Sequence, residues 1–593
     1  MSLVVQKFGG TSLADSEKII SAARKAIRAS QQGNQVVMVV SAMGKNTDML
    51  EKLAFEVNPD PPAREMDMLL STGEQVSVAL MAMAISSMGF SATSLTGGQI
   101  GIKTDSSHTK ARIQHIATDR IKRLLDSGNI VIAAGFQGID EELNITTLGR
   151  GGSDTTAVAL AAVLQADTCE IYTDVDGVYT TDPRILPEAR LTRQVSYNEM
   201  LELASLGAGV LHSRSIEFGK KFNVAIHVRS SMSDSEGSLI VDHGHAESLP
   251  VSGAALTKDE ARISILDVPD VPGTIHQILE PICNQKITID MIVQNIADDD
   301  TTDIAFTVPG NELDQAITAV KPVIKQLSGK LGTVDDQVSK VSVVGLGMAS
   351  MTGVASRMFK ALADKQVNLQ MITTSEIKIS ALVPSSQAIM ALRAVHNEFQ
   401  LDQGIATTQG FNFDPDKKAG IDAQEVVDRL QLIGMESMTI DDVILDEAQS
   451  RITITRIPNQ AGAAAALFDK VAEKDIFVDM IVQSYSQDRY ADISFTVPRH
   501  QVQIASEVAN EFKKHLDCQS VESQEEIAKL TVAGIGLQSH TGVALGTFEA
   551  LRNCGINVEM INTSEVRVNV VINGKQAAPG LECLQNYFKN FNW

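Results

Sequence analysis

The stretch Val4-Val5-Gln6-Lys7-Phe8-Gly9-Gly10-Thr11-Ser12 decides the fold of the first part of this chain. The run from Leu3 to Val5 is apolar and mostly β-branched, which predicts a strand. Two glycines follow, and a helical pattern begins at Ser16. A strand, a glycine turn and a helix in this order direct free backbone N–H groups at an anion, and Lys7 adds a positive charge there. The alternative is an ordinary strand-to-helix turn with a solvated lysine.

Composition restricts the class of protein. With 593 residues, the chain is long enough for about three to five domains. Its 50 basic and 73 acidic residues give a net charge of −23, which argues against a nucleic-acid partner because phosphate backbones are repelled. The five cysteines form no C-x-x-C pair, which predicts reduced thiols and a cytoplasmic location. The longest apolar run, Ala157 to Leu164, is shorter than the ~20 residues that cross a bilayer, so no membrane association is expected.

Polar residues follow a second predicted strand, Gln35 to Val40. In open α/β sheets, ligands sit beyond the carboxyl ends of the strands, so Ser41 and Thr47 either contact a substrate or belong to a solvated loop. Gly73 and Glu74 then open an apolar helix. Glu74 either complements the helix dipole or pairs with an ammonium group.

A second glycine-rich turn, Thr147 to Asp154, runs into a helical segment from Thr155 to Gln165. Arg150 lies between flexible residues in this turn, and a planar guanidinium group fits a carboxylate bidentately. Asp154 either caps the helix or accepts hydrogen bonds from an amine. Together the two side chains would recognise an amino acid, whereas the alternative is a solvated arginine beside a simple cap.

The strand predicted from Cys169 to Asp174 leads into a polar segment that ends at Arg184. This segment could bind a nucleotide, with Tyr179 near the base and Arg184 near a phosphate. It could equally be a long surface loop.

Six motifs now stand in one order along the chain. They are Lys7-Phe8-Gly9-Gly10-Thr11-Ser12, Val40-Ser41-Ala42-Met43-Gly44, Gly73-Glu74, Gly149-Arg150-Gly151-Gly152-Ser153-Asp154, Thr173-Asp174-Val175-Asp176-Gly177 and Leu211-His212-Ser213-Arg214. In the order and sequence of these motifs, residues 1–245 resemble the aspartate kinases of the amino acid kinase superfamily. The resemblance implies an α/β catalytic domain with a central, mostly parallel sheet between helices. It implies ATP-dependent phosphorylation of the β-carboxylate of L-aspartate to 4-phospho-L-aspartate, the first step of lysine, threonine and methionine biosynthesis.

The resemblance also implies roles for single residues, with Lys7 and Asp154 as catalytic groups. The ATP site would comprise Lys7, Phe8, Gly9, Gly10, Thr173, Asp174, Tyr179, Asp182 and Arg184. The aspartate site would comprise Ser41, Thr47, Glu74, Arg150, Gly151, Gly152, Ser153 and Asp154. Mg²⁺ would be held mainly by the nucleotide phosphates, without a metal site made by the protein. The reaction needs no protein nucleophile and no strong base, because the substrate carboxylate is already ionised at neutral pH.

Two other functions remain open at this stage. One is a kinase for another small acid of the same superfamily, such as glutamate or acetylglutamate. The other is a non-catalytic amino acid sensor that keeps the fold. The phrase Ser41 to Gly44 argues against the first, and the presence of Lys7, Arg150 and Asp154 argues against the second.

The second half of the chain repeats itself. Asp290-Met291-Ile292-Val293-Gln294 recurs 189 residues later as Asp479-Met480-Ile481-Val482-Gln483, and Thr374-Ser375-Glu376 recurs at the same offset as Thr563-Ser564-Glu565. One offset across two different modules indicates that a two-module block was duplicated. Each module follows a βαββα pattern that resembles the ACT domain, a ferredoxin-like α+β regulatory module. We predict four: residues 254–335, 336–412, 437–524 and 525–593, with a linker over 413–436. No dehydrogenase half is recognisable, which favours the monofunctional kind of aspartate kinase.

By the same resemblance, the modules pair, bind lysine, threonine or both at their interfaces, and join two chains into a homodimer. The predicted effector residues of the first block are Asp270, Gly273, Gln294 and Asn295. Those of the second block are Asn459, Gly462, Gln483 and Ser484. Asp270 can pair with the ammonium group of an effector whereas the equivalent Asn459 is neutral, so the two blocks should differ in affinity or ligand.

Overall fold

The computed structural model describes residues 2–207, 209–242, 250–296, 301–403, 434–436, 439–485, 490–516, 518–535, 537 and 542–589. The predicted linker lies outside these ranges, except for its last three residues. His243 and His245, which separate the two halves of the sequence, also lie outside them.

The first 241 residues form an α/β domain. Its strands are β1 (Leu3–Phe8), β2 (Gln35–Val40), β3 (Ala92–Leu95), β4 (Ile102–Thr104), β5 (Ile113–Ile116), β6 (Ile130–Ala134), β7 (Gln137–Ile139), β8 (Ile145–Thr147), β9 (Thr168–Thr173), β10 (Val178–Tyr179), β11 (Leu191–Thr192), β12 (Gln194–Ser196), β13 (Ile226–Ser230) and β14 (Ser238–Val241). Its helices are α1 (Ser16–Gln31), α2 (Asn46–Val57), α3 (Ala63–Leu70), α4 (Thr72–Ser87), α5 (Gly97–Ile100), α6 (Asp119–Asp126), α7 (Gly152–Val163), α8 (Tyr197–Ser205) and α9 (Ser213–Lys221).

The main sheet has eight strands in the order β12-β14-β13-β9-β1-β2-β6-β3. Only the β13–β14 pair is antiparallel, which confirms the prediction of a mostly parallel sheet. Alternate residues of each strand face opposite layers. Val36, Met38 and Val40 pack in one apolar core, whereas Val37 and Val39 pack in the other. Both faces are therefore covered by helices, and the carboxyl ends of β9, β1, β2 and β6 lie side by side.

The described residues from 250 onward form a second, α+β region. Its strands are β15 (Gly253–Pro269), β16 (Ile292–Ile296), β17 (Thr301–Pro309), β18 (Lys330–Val344), β19 (Met371–Ser375), β20 (Lys378–Pro384), β21 (Thr439–Asp446), β22 (Gln449–Pro458), β23 (Ile481–Tyr485), β24 (Tyr490–Pro498), β25 (Ser520–Gln524), β26 (Ile527–Ile535), β27 (Met560–Thr563) and β28 (Arg567–Asn573). Its helices are α10 (Thr274–Asn284), α11 (Leu313–Gln326), α12 (Val354–Ala363), α13 (Ala388–Glu398), α14 (Ala463–Glu473), α15 (Val502–Leu516), α16 (Gly542–Asn553) and α17 (Ala577–Phe588).

These elements fall into four groups, here called modules 1 to 4, which follow the predicted ranges 254–335, 336–412, 437–524 and 525–593 in order. That all four are ACT domains stays a prediction, and strand pairing crosses the predicted boundaries. Strand β18 runs continuously across the boundary drawn at residue 336. It pairs with β15 from Lys330 to Val344, with irregularities, and with β20 from Val338 to Val344. Residues 253–257 at the start of β15 belong to the sheet of module 2, and β21 belongs to the sheet of module 4. Apolar alternation identifies a strand but not the neighbour with which it pairs, so sequence assigned both segments to the preceding module.

The modules pair across the duplication, module 1 with module 4 and module 2 with module 3. One apolar core joins modules 2 and 3, and another joins modules 1 and 4. Strand β19 of module 2 also pairs with β23 of module 3, which makes one sheet of ten strands. The modules therefore pair within one chain, and the predicted homodimer stays a prediction.

The structure bears on two predictions about the whole chain, the reduced state of its cysteines and the lack of a membrane-spanning segment. Cys554 and Cys583 form a disulfide, so the prediction that every cysteine is reduced is wrong. The two residues are 29 apart in sequence, and the packing of α16 on α17 that brings them together left no sequence signal. By length and composition, Ala63–Ser87 could cross a membrane, but in the fold it is two helices, α3 and α4, of which α4 packs on α1 and β6.

Candidate active site and effector sites

A buried ion pair lies at the edge of the sheet where β1 ends. Lys7 Nζ lies 2.5 Å from Asp154 Oδ1. Both residues keep only 9% of their exposure, so the two charges are largely removed from water. Asp154 is the third residue of α7 and its carboxylate pairs with Lys7 rather than capping the helix, since Gly151 is the cap residue. The two predicted catalytic residues are therefore brought together although 147 positions separate them in sequence.

Glycine is required at two turns beside this pair. A Cβ atom on Gly10 would lie 2.7 Å from the carbonyl oxygen of Ala42, and one on Gly151 would lie 2.3 Å from Cβ of His212. Gly151 also has a φ of +72°, which side chains rarely adopt. On Gly9, a Cβ would come within 3.5 Å of Lys7 Nζ. The backbone can therefore approach a ligand closely on both sides of the lysine.

Glu74 is a buried carboxylate in the first turn of α4. Its Oε1 accepts a hydrogen bond from the backbone N–H of Ala42 at 3.0 Å. Its Oε2 makes no hydrogen bond within the part of the chain that the structure describes. Burial raises the pKa of Glu74 to about 7. An acceptor of this kind would gain from a cationic donor such as an ammonium group.

The loop that follows β2 carries the predicted Ser41 and Thr47. The backbone N–H of Ser41 donates to the carbonyl of Phe8 at 3.1 Å, which ties this loop to the end of β1. Thr47 lies in the first turn of α2 and is half-buried. Both residues thus follow the carboxyl end of β2, and their contact with a substrate stays a prediction.

The glycine-rich loop over 149–154 packs against the end of β6. Ser153 is buried so close to Gly135 that a Cβ there would meet its side chain at 2.7 Å. Gly152 begins α7, and Arg150 is exposed at the turn. The guanidinium group of Arg150 is accordingly accessible to a ligand, whereas the carboxylate of Asp154 lies inside.

The predicted nucleotide residues follow β9, the neighbour of β1. Thr173 ends β9 and donates from Oγ1 to Asp174 Oδ1 at 3.1 Å. Asp182 and Arg184 form an ion pair, with Nη2 2.8 Å from Oδ2, and this contact lowers the pKa of Asp182. Tyr179 lies half-buried in β10. The segment is therefore folded back on itself rather than extended.

The resemblance predicts Phe8 in the ATP site, and the structure places its side chain in the core. Its ring is fully buried and stacks on Tyr172 with centroids 4.6 Å apart. Successive residues of a strand face opposite sides, so Lys7 points towards α7 while Phe8 enters the core beneath α1 and α4. The Phe8 side chain therefore belongs to the core, and a nucleotide contact through the Phe8 backbone stays a prediction.

Asp67 is a supporting residue that sequence reasoning missed. This fully buried carboxylate accepts hydrogen bonds from the backbone N–H of Thr109 at 3.0 Å and from Thr147 Oγ1 at 2.5 Å, and His108 Nδ1 lies 2.7 Å from it. It thereby fixes two loops beside the glycine-rich turn. An aspartate in an amphipathic helix looks like a surface residue, so no sequence signal marked it. Within the described ranges, no group of three or more His, Cys, Asp or Glu side chains is arranged to hold a metal ion.

The first predicted effector cluster lies between modules 1 and 4. Asp270 Oδ1 accepts hydrogen bonds from Gln294 Nε2 at 3.4 Å and from Asn557 Nδ2 at 2.9 Å. Gly273 caps α10 with a φ of +96°. The side chain of Asn295 lies outside the described part.

The second cluster lies between modules 2 and 3. Asn459 Oδ1 accepts a hydrogen bond from Asn368 Nδ2 at 3.0 Å, and Gln483 Nε2 donates to the carbonyl of Leu369 at 3.0 Å. Gly462 caps α14 with a φ of +94°, and the side chain of Ser484 lies outside the described part. Asn368 and Asn557 are equivalent at the 189-residue offset, so each cluster contains residues from both repeats and neither repeat forms a cluster alone.

One residue of the N-terminal domain joins both module pairs. Glu202 on α8 is fully buried, and its Oε2 lies 2.8 Å from Lys378 Nζ of module 2. Its Oε1 accepts a hydrogen bond from the backbone N–H of Glu565 in module 4 at 3.0 Å. A relative shift of modules 2 and 4 would therefore change the contacts of Glu202 on α8.

Comparison with known proteins divides the chain in the same way. The amino acid kinase family model matches residues 2–230, and the ACT domain model matches residues 341–399 and 530–588, which fall in modules 2 and 4. The aspartokinase of Pseudomonas aeruginosa is 49% identical over 405 residues, covering 68% of this chain and 98% of the relative. The aspartokinase of Corynebacterium glutamicum is 49% identical over 411 residues, covering 68% and 97%.

Solved structures extend the comparison. The aspartate kinase from Synechocystis is 39% identical with a TM-score of 0.52 and covers 99% of this chain and 98% of that chain. Aspartokinase III of E. coli, in complex with aspartate and ADP, has a TM-score of 0.57 over 67% of this chain and 99% of that chain. At 23% identity, the second similarity concerns the fold alone.

Proposed function

Because the chain belongs to the aspartate kinase family, we propose that it transfers the γ-phosphoryl group of Mg-ATP to the β-carboxylate of L-aspartate. The observation that carries this proposal is the buried Lys7–Asp154 pair between two glycine turns at the edge of the sheet. A lysine held there by a carboxylate can stabilise charge on a transferring phosphoryl group. Glu74 and Arg150, on either side, offer partners for the ammonium and carboxylate groups of an amino acid.

The reaction balances without a proton transfer. An oxygen of the substrate β-carboxylate forms a bond to the γ-phosphorus, and the bond from that phosphorus to the bridging oxygen breaks. ADP leaves with the electron pair, and 4-phospho-L-aspartate remains. The chain has to orient the two reactants and stabilise charge, which is the main requirement of phosphoryl transfer.

We assign three tasks to the residues of the site. Lys7 holds the phosphoryl oxygens, and Asp154 keeps the lysine in place. Arg150 binds the α-carboxylate of aspartate, and Glu74 binds its ammonium group. Mg²⁺, carried by the nucleotide phosphates, would neutralise charge between the β- and γ-phosphates. The segment with Thr173, Asp174, Tyr179, Asp182 and Arg184 would hold the rest of the nucleotide.

The regulatory proposal is feedback inhibition by lysine, threonine or both, as suits the first step of a shared route to lysine, threonine and methionine. The clusters around Asp270 and Asn459 support binding between modules, because both combine amide and carbonyl groups with a helix start. Glu202 offers a route from the modules to α8. ATP is used inside cells, and we therefore propose a cytoplasmic location.

A coupled assay of ADP release with aspartate, and separately with glutamate, tests the proposal. We expect turnover with aspartate only. Lys7→Ala should lower kcat roughly 10²–10³-fold, because one stabilising contact to the developing charge is lost. Lys18→Ala is a matched control, since Lys18 is a half-buried lysine that contacts the same turn through the carbonyl of Thr11. Activity within about threefold of wild type, in a Lys7→Ala variant with wild-type thermal unfolding, would contradict the assignment of Lys7.

A further inference from the structure

Arg214, at the start of α9, joins three separate segments of the chain. Its Nε and Nη2 lie 3.1 Å and 2.6 Å from Glu436 Oε2. Nη2 also donates to the carbonyl of Ala111 at 3.1 Å, and Nη1 donates to the carbonyl of Leu148. The Arg214 and Glu436 side chains keep 14% and 6% of their exposure, so this ion pair is poorly screened by water. A lysine could not contact all of these acceptors at once, because only guanidinium has a planar fork of donors.

The contact to Leu148 places Arg214 directly upstream of the substrate loop, residues 149–154. Leu148 is fully buried, and its N–H donates to the carbonyl of Phe136 at 2.9 Å. Gly149 and Gly151 follow with φ values of +77° and +72°, so the loop itself has little intrinsic rigidity. The position of the Leu148 carbonyl therefore sets where Arg150 and the start of α7 stand.

Glu436 comes from outside the N-terminal domain, at the end of the segment that connects the two repeats. Its N–H donates to the carbonyl of Ile113 at 3.2 Å, and its Oε1 accepts from the N–H of Ile113 at 2.8 Å. The neighbouring Met435 is fully buried in the core of the N-terminal domain. Three residues beyond Glu436, β21 begins in the sheet of module 4. Residues 434–436 thus form a strap that fastens the second repeat to the catalytic domain.

We propose that Arg214 is a positioning residue for the substrate loop and that Glu436 of the strap holds it in the productive orientation. The inference rests on the proposed function, because the loop is the part of the site that would bind the amino acid substrate. Among the contacts that the described residues make, loss of Glu436 leaves the guanidinium group with the carbonyls of Ala111 and Leu148, so its orientation is less restricted. Leu148, which precedes the loop, is then held less firmly, while Lys7 and the nucleotide segment keep their own contacts. Aspartate binding should suffer and ATP binding should not.

Steady-state kinetics of Glu436→Ala and Glu436→Gln test this split. We expect the KM for aspartate to rise roughly tenfold in Glu436→Ala, as for loss of one charge-assisted contact, and less in the isosteric Glu436→Gln. The KM for ATP should stay within about twofold in both. Arg214→Ala should raise the aspartate KM at least as much, and the double variant Arg214→Ala with Glu436→Ala should be no worse than Arg214→Ala alone, because Glu436 acts through Arg214.

Glu559→Ala is the matched control. Glu559 pairs with Arg451 at 3.1 Å, with 14% and 12% exposure, so it too is a largely buried carboxylate in an ion pair between distant segments. Without effectors, this control should leave both KM values unchanged. Hydrogen exchange gives a readout independent of turnover: residues 145–154 should exchange faster in Glu436→Gln, and residues 173–184 should exchange as in wild type.

An unchanged aspartate KM in the Glu436 variants, or equal rises in both KM values, would overturn the inference. Unchanged exchange over 145–154 would overturn it as well, even in a variant too unstable for kinetics. Failure of the proposed function is distinct, because it appears as wild-type protein that does not release ADP with aspartate.

Discussion

Glu74→Gln should remove a pH dependence that wild-type protein shows with aspartate. Glu74 lies buried at the start of α4 with one oxygen bonded to Ala42 N–H and the other without a hydrogen bond among the described residues. Burial raises its pKa to about 7, so the carboxyl is largely protonated at pH 6 and ionised at pH 8. Only the ionised form attracts the ammonium group of aspartate. Glutamine keeps the shape and a hydrogen-bond acceptor but has no charge at any pH.

The pKa sets the expected magnitude. With a pKa of about 7, roughly one tenth of the free protein carries ionised Glu74 at pH 6 and roughly nine tenths at pH 8. The kcat/KM for aspartate, which reports the free protein, should therefore rise roughly tenfold over this range. A bound ammonium group stabilises the carboxylate and lowers its pKa, so the profile of kcat at saturating aspartate should shift to lower pH.

The assay is ADP release at fixed ionic strength from pH 5.5 to 8.5, with aspartate varied at saturating ATP. Glu74→Gln should give a lower and nearly flat profile. Glu65→Gln, at an exposed carboxylate of α3, is the control and should keep the wild-type slope. A wild-type kcat/KM that does not rise through pH 7, or a slope retained in Glu74→Gln, would refute the assignment of Glu74 to the ammonium group.

Three further predictions concern Arg150, the disulfide of module 4 and Asp270. Arg150→Lys should raise the KM for aspartate far more than that for ATP, because lysine keeps the charge but loses the planar fork; equal rises would contradict this role. Mass spectrometry without reductant should find the peptides of Cys554 and Cys583 linked, and unlinked peptides would show that the pair is reduced. Cys583→Ser should lower the free energy of unfolding of module 4 by about 3–4 kcal/mol, which is the chain-entropy value for a 29-residue separation. Asp270→Asn should weaken effector binding at the cluster between modules 1 and 4 and spare the other cluster, as isothermal calorimetry can measure.

The sequence predicted the parts of the fold that depend on local pattern. β1 and β2 occur where apolar runs indicated them, and the glycine turn after β1 leads into α1 as expected. The 189-residue offset revealed the duplicated modules because identical short sequences at a constant spacing can be recognised without a structure. Lys7 and Asp154 could be selected because each stands beside a glycine turn, and turns at parallel strand ends converge at one edge.

The rest depended on contacts between residues far apart in sequence. Strand alternation places the Phe8 side chain in the core although Lys7, its neighbour, lies at the site, and a motif taken as a continuous stretch does not show which side chains share a face. The pairing of module 1 with module 4 is not encoded in either module alone, since both pairs use equivalent surfaces. The Arg214–Glu436 contact joins residues 222 positions apart, and neither carries a local signal.

The duplicated block explains why a change at Asp270 should separate the two effector clusters. Asp270 meets Gln294 and Asn557, whereas its counterpart Asn459 meets Asn368. The clusters also differ beside the helix cap, where Arg552 packs near Gly273 and its counterpart Ala363 packs near Gly462. A carboxylate can pair with the ammonium group of an amino acid effector, and loss of such a contact should weaken binding roughly 10–100-fold. Asn459→Asp is the reverse change and should strengthen the other cluster. Calorimetry with lysine and with threonine on both variants should therefore show opposite shifts at two classes of sites. A single class of sites that both substitutions weaken equally would mean that the charge at this turn does not distinguish the clusters.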